Sequence, residues 1–285
     1  MTTTPTAPAP TTSTTAHIGI FDSGIGGLSV LRALRRQLPQ ARITYIADAR
    51  FTPWGDRPAG WVAARCLQLS AWLLDGGADL VLVACNTGTT QAITALRARW
   101  PATPFVGVEP GVKPAVAASR NSRVAVMATT GTLQSPRLAR LVADHAGGAA
   151  LLRLPCPGLV EAIEAADPDD RVLLALLDHI AADLLAARVD TVALGCTHYP
   201  LVADALQNRL GPGVRLVDTA DAVARQVARL LKHTPGGGAT AGTAPLPRLL
   251  STGDAAGLQQ AARRWLQADV VVEVLALPGP MACPN

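Results

Sequence analysis

Leu80-Val81-Leu82-Val83-Ala84-Cys85-Asn86-Thr87 and Thr191-Val192-Ala193-Leu194-Gly195-Cys196-Thr197-His198 are near-echoes of each other, 111 residues apart. Each is an apolar run of strand length that ends on a cysteine, with hydroxyl or amide residues directly after it. A helical stretch then begins. A cysteine at such a strand-to-helix junction presents its sulfur to unsatisfied backbone N–H groups and to the positive end of the helix dipole, which stabilise a thiolate. Two such positions predict two thiols facing each other across a cleft. That pair can remove a proton from one face of a carbon and deliver one to the other.

Outward from these two sites, strand-like apolar runs alternate with helix-period runs, which predicts an α/β fold with mostly parallel strands. The strand series is residues 17–22, 43–48, 80–84, 105–108, 124–128, 191–195 and 214–217. Between the first two, Leu28, Leu31, Leu34 and Leu38 form one helical face that stops before Pro39. Each half opens with a strand and a glycine-containing turn, Asp22-Ser23-Gly24 or Thr129-Thr130-Gly131. Sixty-three residues separate Asp22 from Cys85 and 67 separate Thr129 from Cys196, so the two halves predict two similar lobes. A helix carrying Val223, Val227, Leu230 and Leu231 leads to a glycine-rich linker at 235–245, and a strand-helix-strand unit at 249–277 returns to the first lobe. The expected layout is a tail at 1–16, lobe one at 17–113 plus 222–285, and lobe two at 114–221. Parallel sheets flanked by helices bind ligands at the carboxyl ends of their strands, here in the cleft between lobes.

Composition narrows the function. The 285 residues are 49% hydrophobic and 16% charged, and no apolar run reaches the roughly 18 residues of a membrane-spanning helix, so no membrane role is expected. The net charge of +4 comes from scattered arginines such as Arg32, Arg35, Arg36 and Arg42, and only 4% of residues are aromatic. Nucleic acid is therefore not an expected partner. Residues 1–16 form a Thr/Pro/Ala tract with neither a basic start nor an apolar core, a disordered tail rather than a secretory signal. The five cysteines lack framework spacing, which implies reduced thiols and a cytoplasmic location.

Several other motifs have ordinary explanations. Gly24-Ile25-Gly26-Gly27-Leu28-Ser29, with Asp48 further on, imitates a dinucleotide fingerprint, but the final glycine is replaced by Ser29 and Asp22 would repel a pyrophosphate. Cys66 and Cys283 read as buried structural thiols, with Cys156 intermediate. His17, His145, His179, His198 and His233 form no metal-ligand pair, so no metal is expected. Lys113 and Lys232 are the only lysines, and neither suits a Schiff base with pyridoxal.

Taken in order, the blocks Ile20-Phe21-Asp22-Ser23-Gly24-Ile25-Gly26-Gly27-Leu28, Pro53-Trp54-Gly55, Ala84-Cys85-Asn86-Thr87, Gly107-Val108-Glu109-Pro110, Gly131-Thr132-Leu133, Cys156-Pro157 and Gly195-Cys196-Thr197-His198-Tyr199-Pro200 resemble the glutamate racemases, cofactor-independent amino-acid racemases. Trp54 departs from the usual tyrosine, and Ala49-Arg50 stands where a threonine is common. The resemblance implies a two-lobed fold, no cofactor, and interconversion of L- and D-glutamate for peptidoglycan. It implies Cys85 as the base toward the D-enantiomer and Cys196 toward the L-enantiomer. Asp22 would sit near Cys85 and the substrate ammonium, with His198 and Glu164 near Cys196. Asn86, Thr87 and Thr197, at helix N-termini, would hold the α-carboxylate, and Ser23, Trp54 and Gly55 would complete the pocket, with a contribution from the 129–132 turn. A homodimer is left open. The alternatives are an aspartate racemase or related decarboxylase, whose relatives typically carry an acid where His198 stands, or a non-catalytic binding protein on the same scaffold.

Overall fold

The protein is described by a computed structural model covering residues 16–165, 170–231 and 245–280. Residues 1–15 of the tail, 235–244 of the linker, Lys232, His233 and Cys283 lie outside the described residues. Four parallel strands, β1 (His17–Asp22), β2 (Arg42–Ala47), β3 (Leu80–Val83) and β4 (Phe105–Gly107), make up most of a first sheet. A second sheet consists of β5 (Arg123–Ala128), β6 (Ala150–Pro155), β7 (Thr191–Leu194) and β8 (Arg215–Val217), again all parallel. The chain then returns, and β9 (Arg248–Ser251) and β10 (Val272–Val274) extend the first sheet beyond β2.

The orders are β10-β9-β2-β1-β3-β4 and β6-β5-β7-β8. Within them β2-β1-β3-β4 and β6-β5-β7-β8 are the same arrangement made twice. In each sheet the order reverses beside the opening strand, between β1 and β3 or between β5 and β7. Such a reversal sends the loops on its two sides apart and leaves a crevice at the strand ends. Asp22 and Cys85 end β1 and follow β3, while Thr129 and Cys196 occupy the equivalent places after β5 and β7. All of β1, β3 and β7 is buried, as suits strands covered by helices on both faces.

The helices that supply this cover are α1 (Leu28–Gln37), α2 (Ala59–Asp75), α3 (Asn86–Arg99), α10 (Ala220–Leu231) and α11 (Ala255–Leu266) around the first sheet, and α4 (Val112–Ala118), α5 (Thr130–Leu133), α6 (Pro136–His145), α7 (Leu159–Glu164), α8 (Arg171–Ala186) and α9 (Ala203–Leu210) around the second. Leu28, Leu31 and Leu34 of α1 face inward with no exposure, and α1 ends at Gln37, one residue before the Leu38 cap. β6 is absent from the strand series read from the sequence. It is an edge strand, half exposed along its length, so it lacks the continuous apolar run that marks its buried neighbours.

One ion pair is wholly buried. The Arg65 guanidinium on α2 donates through Nε (3.0 Å) and Nη2 (2.6 Å) to the two carboxylate oxygens of Asp48, and neither side chain has any exposure. Arg65 Nη1 also donates to the carbonyl of Pro278 at 2.6 Å, which ties the C-terminal segment to α2. Removing one partner would leave an uncompensated charge in the interior. Arg65→Met should lower unfolding free energy by about 3–5 kcal/mol, as measured by urea denaturation.

Candidate active site

Cys85 follows β3 in extended conformation and caps α3 directly, its Sγ accepting from the backbone N–H of Gly88 at 3.4 Å. This is the strand-to-helix junction expected from the sequence. Its Sγ lies 3.8 Å from Ser23 Oγ. Burial pushes the Cys85 thiol well above the ordinary range, the nearby Asp22 carboxylate pushes it further, and Cys196 adds to the effect. The Gly88 N–H works in the opposite direction.

The second junction differs from the first. Cys196 leads into a short 3-10 turn (Tyr199–Val202), and the α-helix begins only at Ala203, so neither Cys196 nor Thr197 sits at an α-helix N-terminus. Pro200 lies in that turn, where its missing N–H and fixed φ shorten the hydrogen-bonded run. The sulfur is supported by a side chain instead. Cys196 Sγ lies 3.7 Å from His198 Nδ1, and His198 Nε2 lies 2.6 Å from Glu164 Oε1. Burial alone would hold His198 neutral, but its hydrogen bonds to Cys196 and Glu164, reinforced by their charge, raise it well above an ordinary histidine. Glu164 comes from α7, 34 residues away, and its Oε1 also accepts from the Ile25 N–H at 2.8 Å.

Asp22 joins the two halves. Its carboxylate has no exposure and accepts from the N–H groups of Ser23 (2.6 Å) and Gly27 and from the Thr197 hydroxyl (3.0 Å) of the other lobe. Burial raises its pKa while His198 acts to lower it. These contacts also account for the glycine-rich loop. A Cβ at Gly24 would lie 1.8 Å from Glu164 Oε1, and one at Gly26 would lie 2.4 Å from His198 Nδ1. The glycines therefore admit the acid–base groups of the opposite lobe. An internal carboxylate already occupies the loop's N–H groups where a pyrophosphate would bind.

Ser23, Trp54, Gly55, Cys85, Asn86, Thr87, Cys196, Thr197 and His198 line one small cavity with Pro53, Thr129 and Val160. Asp22 and Glu164 stand immediately behind this lining, bonded to Thr197 and His198. The walls meet across the lobes through Gly131 N–H to the Gly55 carbonyl (3.2 Å) and the hydroxyls of Thr87 and Thr129 (3.0 Å). Val160 was not expected from the sequence. It lies on the same short helix as Glu164, and the apolar triplet Leu159, Val160 and Ile163 was the available signal. The Asn86 side-chain oxygen is buried without a hydrogen-bond partner, an acceptor at the cavity wall awaiting a donor. Wider cavities of 720 and 730 Å³ open elsewhere but contain neither thiol, so acid–base chemistry rather than size marks the site. No group of three or more His, Cys, Asp or Glu able to hold a metal occurs among the described residues. No helix among them is long and apolar enough to cross a membrane.

A fold with two repeated parallel sheets and a thiol at each crevice defines a class, and its sequence pattern is matched here. The chain belongs to the Asp/Glu/Hydantoin racemase family, whose pattern covers residues 18–227. It is 43% identical over 267 residues to a glutamate racemase of Cupriavidus pinatubonensis, covering 93% of this chain and 97% of that protein. Identity to a glutamate racemase of Pseudomonas aeruginosa is 46% over 216 residues, 76% of this chain and 82% of the relative. Among solved structures, Escherichia coli glutamate racemase, in complex with L-glutamate and the activator UDP-MurNAc-ala, aligns with a TM-score of 0.82 at 32% identity, over 93% of this chain and all of that one. A Bacillus anthracis glutamate racemase aligns equally well at 28% identity, over 92% of this chain and 98% of that one.

The raised His198 pKa makes its bonding a pH-dependent contribution to stability. Protonation is favoured in the folded state, so the contribution is fully present below the unfolded value near 6.5 and disappears as pH rises through the higher folded value. Urea unfolding across that range should find the stability gap between wild type and His198→Gln widest on the acid side and narrowing upward. Gly24→Ala, which displaces Glu164, should shrink the same pH dependence.

Proposed function

We propose that this chain is a glutamate racemase, interconverting L- and D-glutamate in the cytoplasm with no cofactor and supplying D-glutamate for peptidoglycan. One observation carries the chemistry: two thiols at equivalent strand ends of two repeated sheets line a single cavity. The proposal includes the lobe division given above, with lobe one at 17–113 plus 222–285 and lobe two at 114–221, and the site residues that the resemblance implies. It extends to pairing of two copies as a homodimer.

The α-hydrogen of an amino acid is weakly acidic, so its removal needs a strong, desolvated base and support for the charge that develops. Burial supplies the first requirement: the environment that lifts the Cys85 thiol also makes its thiolate a strong base. One thiolate takes the α-proton, the electron pair stays on the α-carbon, and the thiol opposite donates its proton to the other face. Each turnover therefore exchanges the protonation states of the two sulfurs. Cys85 acts on D-glutamate with Asp22 beside it, and Cys196 acts on L-glutamate with the His198–Glu164 pair beside it. The N–H groups that open α3, those of Asn86 and Thr87 among them, suit the α-carboxylate as the resemblance implies. The unpartnered Asn86 side-chain oxygen, an acceptor, adds to Asp22 a second group suited to the substrate ammonium. Among the alternatives, aspartate chemistry and a related decarboxylase are disfavoured by His198 in place of an acid. A non-catalytic role is disfavoured by the presence of both thiols with their flanking acids.

In deuterated solvent, the enantiomer formed should carry α-deuterium from the earliest turnovers while unreacted starting material stays protiated. Proton NMR of early product checks this, and product retaining protium would sink the two-base mechanism. Cys85→Ser and Cys196→Ser should each lose most racemisation, because serine is a far weaker acid than cysteine. The α-deuterium isotope effect should rise more for D-glutamate in Cys85→Ser and more for L-glutamate in Cys196→Ser.

A further inference from the structure

The buried Asp48–Arg65 pair lies next to the catalytic pocket without lining it. Asp48 follows β2, and its backbone N–H donates to the carbonyl of Asp22 at 2.9 Å, so it sits one strand away from the acid–base groups. Its carboxylate is saturated. Arg65 fills one oxygen from Nη2 and the other from Nε, Thr252 Oγ1 donates to Oδ1 at 2.8 Å, and the Trp54 indole N–H donates to Oδ2 at 3.2 Å. Arg65 is fixed in turn by the carbonyl of Pro278, by Gln68 Oε1 at 3.0 Å and by the Phe51 ring, whose centroid lies 4.8 Å from the guanidinium carbon.

Trp54 is the member of this network that reaches the pocket. Its ring is 1% exposed and packed against Phe21 and Trp61, and the next residue, Gly55, bonds through its carbonyl to the Gly131 N–H of the other lobe. A Cβ on Gly55 would lie 3.0 Å from Thr129 Cβ, so the wall and the second lobe are in tight contact. A rigid bidentate charge pair thus holds the indole N–H, the indole fixes the Trp54-Gly55 backbone, and that backbone closes one side of the cavity beside Cys85 and Thr87. Packing against Phe21 and Trp61 confines the ring, and the hydrogen bond to Asp48 sets where its N–H edge lies. A saturated, charged carboxylate at that N–H is a fixed anchor that a shift of the wall would have to break.

We infer that Asp48 and Arg65 are positioning residues of the reaction, acting through Trp54 to hold the Trp54-Gly55 wall of the substrate pocket in register with the two thiols. This rests on the racemase function proposed above. Because the wall lines the cavity without supplying a proton-transfer group, its loosening weakens binding of ground state and transition state alike, a signature carried by KM.

The test uses steady-state racemisation of L- and D-glutamate by the full chain. Arg65→Lys keeps the charge and loses the fork, and Trp54→Phe keeps a ring and loses the N–H donor. Each should raise KM about tenfold in both directions with kcat within about threefold, and the double variant should be no worse than the weaker single, since both cut the same link. A purely structural pair would leave KM constant however far the thermal midpoint and the active fraction fell, and a constant KM overturns the inference. If Arg65→Lys fails to fold, Trp54→Phe decides by the same criterion. Wild type that does not racemise glutamate overturns the function rather than the network. Exchange of the Trp54 indole proton, followed by NMR, then reads the network by itself. It should be slow in wild type and fast in Arg65→Lys, and equal rates overturn the inference.

Discussion

A carboxylate with no exposure, placed where two lobes meet, must have every oxygen supplied with donors or give up its charge. Asp22 meets that requirement with two backbone N–H groups of its own loop and a hydroxyl from the other lobe. Much of the site follows from this. The loop has to curl back on the end of β1 to deliver the Gly27 N–H, which places Gly24 and Gly26 against the other lobe. Glu164 and His198 occupy the space that side chains there would have filled. Thr197 is drawn toward β1 by the same carboxylate, and Cys196 lies one residue before it in the chain. The charge that stitches the lobes together also raises the neighbouring Cys85 thiol. Cohesion between the lobes and part of the basicity at the sulfur, beyond what burial supplies, thus share one group.

The two sulfurs sit at equivalent positions in the topology and are served by different chemistry. Cys85 has a helix cap and a backbone N–H, which carry a fixed partial charge. Cys196 has an imidazole backed by a carboxylate, which can take up and release a proton. The repeated sheets account for the placement, and the local sequences, Asn86-Thr87-Gly88 against Thr197-His198-Tyr199-Pro200, account for the difference.

Much of this is legible in the residues themselves. Strands buried on both faces announce themselves as unbroken apolar runs, which is why β1, β3, β5 and β7 can be read directly and the half-exposed edge strand β6 cannot. The pairing of Cys85 with Cys196 follows from two echoing strand ends. The nature of the second junction does not, because the same pattern of strand, cysteine and hydroxyl precedes an α-helix in one case and a 3-10 turn in the other. Contacts between distant segments leave little local trace. Glu164 meeting His198, Val160 at the pocket wall and Arg65 meeting Asp48 all depend on how helices are laid over the sheets, and neither periodicity nor spacing encodes that placement.

The unlike surroundings of the two sulfurs, on sheets β2-β1-β3-β4 and β6-β5-β7-β8, work under a constraint set by the substrate. Mirror-image glutamates have equal free energy, so the equilibrium constant of their interconversion is unity and kcat/KM must be the same in both directions. A capped helix on one side and a histidine–glutamate pair on the other cannot break that equality, however differently they treat the two sulfurs. Their difference is confined to how tightly each enantiomer rests before reaction: the hand held more firmly turns over more slowly by the same factor. The balance belongs to the enantiomers themselves, so the two halves of the site can be lined with unlike groups without tipping it.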